Sequence, residues 1–128
     1  MKFSLFLILI ICCSCGQIEH YPEGKKLYIK HCSGCHGMNG EGLQKLIPPL
    51  AGAEMFIAAG PDAACWIVNG IEGKIIVKGT EFENAMPAIK GLSPIEIANI
   101  LNYTLNSWGN SHEFINPEEI KKITKNCP

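Results

Sequence analysis

Over residues 23–33 the positions Leu27, Tyr28 and Cys32 fall near one face, and Lys25, Lys26 and Lys30 line the other. That spacing predicts an amphipathic helix with a solvated lysine face. A second helical pattern lies near the end of the chain and carries its own start signal. Ser93 and Glu96 form a capping box, and Pro94 takes the first helical position. Ile97, Ile100, Leu101, Thr104 and Leu105 then supply an inward face, and residues 106–109 end the helix. Between these two, residues 54–58 and 61–69 read as shorter helices, with Pro61 in a first turn and Asn69-Gly70 as a stop. Ile75-Ile76-Val77 and Glu81-Phe82 flank Lys78-Gly79-Thr80, the pattern of a small hairpin outside any larger sheet. Two loops interrupt the helices. One is glycine-rich, Gly37 to Gly42, and the other is the stiff run Ile47-Pro48-Pro49-Leu50. The glycine loop follows no strand, which argues against a phosphate cradle. The pattern predicts an all-α chain of three to five helices with one hairpin-like loop. Residues 111–128 form a polar, lysine-rich extension with a helical turn near 118–123 and no assigned role.

The first residues follow a different rule. Lys2 gives a positive start, and residues 3–11 are apolar apart from Ser4. This run is too short for a membrane span, which needs about 20 residues, and reads as the core of a signal peptide. It ends in Cys12-Cys13-Ser14-Cys15-Gly16, which resembles a bacterial lipoprotein signal. Cys15, between the small residues Ser14 and Gly16, is the expected lipidated residue, with Cys13 as the second choice. Ordinary cleavage without lipid is the competing reading. Residues 1–14 are then the signal, 15–22 a tether whose seven residues 16–22 reach at most about 25 Å, and 23–110 the folded domain. Such a chain sits at the periplasmic face of a bacterial membrane, or free in the periplasm if no lipid is added.

Charge narrows the partners. The chain of 128 residues has a formal net charge of -1, with 11 Lys and Arg together against 12 Asp and Glu, and none of the 11 is Arg. No basic stripe of the kind nucleic acids require is present. Seven cysteines are present. Three cluster at the cleavage site, and Cys65 and Cys127 are left to pair or to stay free thiols.

The remaining two cysteines carry the chemistry: Cys32-Ser33-Gly34-Cys35-His36. C-x-x-C-H is the pattern of covalent c-type haem attachment. Two thiols one helical turn apart add to the haem vinyl groups, and the adjacent imidazole meets the iron from the same side. A thioredoxin-like dithiol needs a surrounding βαβ pattern, and structural zinc needs a second knuckle of ligands; neither is visible. One such motif implies one haem c. Without Arg, the haem propionates must be held by Lys, by Trp, Tyr or Asn donors, by backbone N–H groups or by water. Trp66 and Trp108 qualify by residue type.

With these residues in place, the chain resembles the class I, single-haem cytochromes c over about residues 24–110. Gly24, Tyr28 and Cys32 match that family's glycine–aromatic–cysteine spacing, and Ile100 and Tyr103 match the contact positions on its last helix. The resemblance implies helices wrapped around one haem, with the Pro48 carbonyl accepting a hydrogen bond from His36 Nδ1–H. It also implies that Met86, fifty positions after His36 in Asn84-Ala85-Met86-Pro87, is the second axial ligand. Met38, Met55, His20, His31 and His112 are the rivals, and none sits in the ligand loop. The histidines read as surface residues. The stretch from Ile75 to Pro87, with Ser107 to Asn110, looks like variants that serve periplasmic copper enzymes and oxidases. The implied role is electron transfer between redox proteins, not catalysis, as a monomer or a respiratory-complex subunit. Two other readings stay open: a peroxidase or gas sensor with a labile sixth ligand, and a fixed subunit of a membrane oxidoreductase.

Overall fold

A computed structural model describes residues 19–128 of the chain; the signal segment, Cys15 and most of the tether lie outside the described residues. Helix α1 spans Pro22–His31, with proline in its first turn and Lys30 and His31 in its last. The chain turns at Cys32 and resumes as the four-residue helix α2, Ser33–His36. The sequence predicted one helix through Ser33. The chain instead breaks at Cys32, and a new turn starts at Ser33.

Helix α3 is Glu54–Ala59, followed by a 3-10 turn at Gly60–Asp62 and helix α4 at Ala63–Asn69. The hairpin forms as strands β1, Ile75–Val77, and β2, Thr80–Phe82, paired antiparallel with Ile75 opposite Phe82. Lys78 and Gly79 both take positive φ, 50° and 74°, the conformation that two-residue hairpin turns require. Val77 and Phe82 are buried in the core, which ties this small ribbon to the helices. Helix α5, Pro94–Thr104, carries the full capping box between Ser93 and Glu96. All five residues read as its inward face, Ile97, Ile100, Leu101, Thr104 and Leu105, are buried.

The main crossing joins α1 to α5. Gly24 is buried where the helices meet, and a side-chain carbon there would collide with the Asn99 carbonyl and Tyr103 Cβ. Tyr28, fully buried, packs its ring against Tyr103 and Trp108 at centroid distances of 5.6 and 5.1 Å. Ile100, the other expected contact position, faces the cleft described below.

The tail is part of this body. Helix α6, Pro117–Thr124, starts at an Asn116 cap, and Ile115 and Ile120 join the hydrophobic core. Asn102 on α5 clasps the tail through both backbone groups of Ile115, at 2.9 and 2.8 Å. Cys65 on α4 is disulfide-bonded to Cys127, which resolves the pairing the sequence left open. Among the described residues no helix is long and apolar enough to cross a membrane.

Candidate functional site

The helical turn from Cys32 to His36 builds one wall of a cleft. Backbone bonds from Cys35 and His36 N–H to the Cys32 carbonyl, 3.1 and 2.9 Å, hold both thiols and the imidazole on a single turn. Cys32, Cys35 and His36 all line the same cleft, and neither thiol is bridged. Burial, helped by the neighbouring Cys35, pushes the Cys32 thiol up to about 11.

His36 is 8 % exposed, and its Nδ1 lies 3.0 Å from the Pro48 carbonyl oxygen. A carbonyl only accepts, so Nδ1 carries the proton and Nε2 keeps its lone pair free for a metal. Burial lowers the His36 pKa while the bond to Pro48 opposes that shift, so the neutral imidazole is favoured.

Met86 also lines this cleft. Its backbone is fixed by a bridge to Ile71, with both N–H···O bonds at 2.9 Å. Gly70 makes that approach possible, because a Cβ there would run into the Met86 carbonyl. Asn84 Nδ2, just before, donates to the Leu46 carbonyl at 3.0 Å and links the methionine loop to the segment after His36.

The rest of the wall is apolar, with Phe56, Ile67, Ile71, Ile100 and Leu101 among its residues. Counting its open mouth, the cleft holds about 1190 Å³ of empty space. A large hydrophobic ring system with a central metal fits this donor set: two thiols, one imidazole with a free nitrogen, one thioether and otherwise hydrocarbon. A zinc site does not fit, because among the described residues no group of three or more His, Cys, Asp or Glu side chains is gathered.

Met55 and His31, weighed in the sequence only as rival ligands, both line the cleft. Helix α3 turns Met55 toward it, and His31 reaches it from the last turn of α1, beside Cys32. The sequence carries no spacing signal for either. Met38 is 54 % exposed, His20 is exposed, and His112 Nδ1 lies 2.8 Å from the Glu113 carbonyl oxygen. Of the two tryptophans expected near the cofactor, Trp66 lines the cleft. Trp108 instead packs against Tyr28 and Tyr103.

The model of the family Cytochrome c matches residues 21–108. This chain belongs to the cytochrome c family. Its cofactor is therefore haem c, covalently bound, and its work is electron transfer. Among known relatives, the cytochrome is 34 % identical to a cytochrome c-552 of Thermus thermophilus, over 96 % of this chain and 86 % of that one. It is 33 % identical to the cytochrome c subunit of the quinone alcohol dehydrogenase of Gluconacetobacter polyoxogenes, over 74 % of this chain but only 20 % of that subunit. Cytochrome c6 of Diacronema lutheri is 31 % identical over 68 % of this chain and 95 % of its own length.

Proposed function

We propose that this cytochrome is an exported single-electron carrier, held at the periplasmic face of a membrane by lipid on Cys15, with His36 and Met86 as its axial ligands. The observation that carries the reading is the convergence of His36 and Met86 on one apolar cleft, with His36 Nδ1 already committed to Pro48. Haem c, when bound, supplies a one-electron couple between ferric and ferrous iron. Everything else falls to the chain. Cys32 and Cys35 fix the cofactor to the turn after α1. His36 offers Nε2, made more basic by the bond to the Pro48 carbonyl. Met86 offers a neutral thioether, which favours the reduced metal and raises the potential. The apolar wall would keep water from the haem, and His36 and Met86 together would hold its iron for electron exchange. Partners are redox proteins met in brief encounters over small interfaces, commonly below about 1,200 Å².

Visible spectra of the haem-loaded protein test this reading. A low-spin spectrum with the ferric methionine–iron band is expected, unchanged by carbon monoxide and lost in Met86→Ala. A band that survives Met86→Ala removes Met86 as ligand and directs attention to Met55. Ready carbon monoxide binding by the intact protein turns the reading to peroxide or gas chemistry.

A second reading is favoured by the relative that is a subunit of a quinone alcohol dehydrogenase. Here the cytochrome works in the same way but as a fixed subunit. Isolation in mild detergent separates the two, since a subunit brings a stoichiometric oxidoreductase with it and a carrier does not.

A further inference from the structure

Asn110 is a buried side chain that the electron-transfer reading does not use. It is 7 % exposed and makes three bonds. Its Nδ2 donates to the Leu50 carbonyl at 3.0 Å and to the Thr104 carbonyl at 2.9 Å, and its Oδ1 accepts from Gly52 N–H at 2.8 Å. Both amide hydrogens are used and each lies on a different element. Asn110 therefore joins the C-terminal end of α5 to the segment that follows the two prolines, fifty-eight to sixty positions away in sequence.

That segment ends on the axial histidine. Pro48 and Pro49 each have a locked φ, so the stretch from Leu50 back to Pro48 is a stiff lever. Its near end is the carbonyl that accepts from His36 Nδ1–H. Its far end is pinned on two sides. Leu50 and Ala51 N–H donate to the Gly40 carbonyl at 2.8 and 3.0 Å, and Asn110 takes the Leu50 carbonyl and the Gly52 N–H. Asn110 is itself set by a turn with positive φ at Trp108 and Gly109, closed by its own N–H on the Ser107 carbonyl at 2.9 Å.

We propose that Asn110 is a positioning residue for the axial ligand: it fixes the Pro48 carbonyl against His36 and so sets the basicity of the imidazole. It bonds to Leu50, Gly52 and Thr104, does not line the cleft, and acts on His36 only through the proline segment. The inference rests on His36 as an iron ligand, which the wild-type spectrum tests separately.

The experiment compares haem-loaded Asn110→Ala with haem-loaded Asn102→Ala. Asn102 is also a buried asparagine of this region, but its bonds go to Ile115 in the tail. Both variants should lower the melting temperature. Only Asn110→Ala should speed solvent exchange of the His36 Nδ1 proton, by about fivefold or more, read by NMR of nitrogen-labelled protein. Its midpoint potential should also rise, because a weaker bond to Pro48 leaves a less basic imidazole and a less stabilised ferric state. If Asn110→Ala does not take up haem, Asn110→Ser is measured in its place; its short neutral side chain cannot span all three partners. Exchange of the Nδ1 proton at the wild-type rate in the variant measured, with only the melting temperature lowered, overturns the proposal. A low-spin wild-type spectrum with an unchanged exchange rate would sink the role of Asn110 alone. Loss of the low-spin spectrum in wild type would sink the ligand assignment instead.

Discussion

Single side chains hold together parts of this molecule that lie far apart in sequence, and Tyr28 is one of the clearest. Its ring is fully buried between Tyr103 and Trp108, and its hydroxyl donates to the Gly37 carbonyl at 2.6 Å. The phenol thus ties α1 to the loop that leaves the Cys32–His36 turn. Burial pushes its pKa far up, so it remains a donor at any ordinary pH. Tyr28→Phe keeps the packing and removes the donor. The expected loss is about 1 kcal/mol in denaturant unfolding of the holoprotein, with the visible spectrum unchanged. Gly24→Ala should cost more, because its methyl group has no room beside the Asn99 carbonyl and α1 must shift on α5. At this scale the chemistry was legible in the sequence wherever a residue type and a spacing coincide. Cys32, Cys35 and His36 fall within five consecutive positions, the spacing of c-type haem attachment. The cleft positions of Met55 and His31 and the bonds of Asn110 were not legible, because they depend on which elements meet, and no local spacing records that.

Helix α5 shows what an element contributes beyond its residues. Its start is a reciprocal cap, with Ser93 Oγ accepting from Glu96 N–H at 3.3 Å and Ser93 N–H donating to Glu96 Oε2 at 2.8 Å. Ser93→Ala removes half of that box and should cost about 1 kcal/mol. The cap also predicts a pH dependence. Hydrogen bonds from the Ser93 N–H and hydroxyl hold the Glu96 carboxyl below its ordinary value of 4.5. The folded state therefore binds this proton less readily than the unfolded one. The cap's contribution is complete above the ordinary glutamate range and fades as pH falls through the depressed folded value. Acid titration of stability should show a component in that window that is missing in Glu96→Gln. Glu96 is solvent-accessible, so the component is small and shrinks in high salt. Helix α5 could be read from its cap, its proline and its apolar period together. Helix α1 was legible only in part. Its periodicity continues through Cys32, and only the local geometry of the Cys32–His36 turn breaks it. The hairpin was legible because its turn demands positive φ, which Lys78-Gly79 supplies.

The whole molecule differs most from its sequence pattern in the tail. Residues after Asn110 are mostly polar, and few apolar side chains mark them as part of a core. Of those few, Ile115 and Ile120 are almost completely buried, and the tail is fastened to α4 by Cys65–Cys127 and by Asn69 Nδ2 donating to the Pro128 carbonyl at 3.0 Å. The likeness to cytochrome c-552 spans 96 % of the chain, so it runs into this tail, past the 21–108 matched by the family model. Beside hydrogen bonds to the tail, the disulfide and the burial of apolar side chains hold α6, and the two can be separated. A cross-link between positions 62 apart restricts the unfolded chain by roughly 4 kcal/mol on the loop-entropy account. For a domain of this size that corresponds to a fall in Tm of about 10 °C or more when both cysteines become serine. The isoleucines should nevertheless keep α6 docked at 25 °C, so the haem spectrum of Cys65→Ser/Cys127→Ser should match that of the wild type. Truncation after residue 110 removes both forces and uncovers α5 next to the cleft. It should lower Tm further than the double serine variant and alter the visible spectrum of the holoprotein. If the truncated protein melts with the double serine variant, the disulfide carries the whole contribution of the tail, and the packing of Ile115 and Ile120 adds nothing measurable.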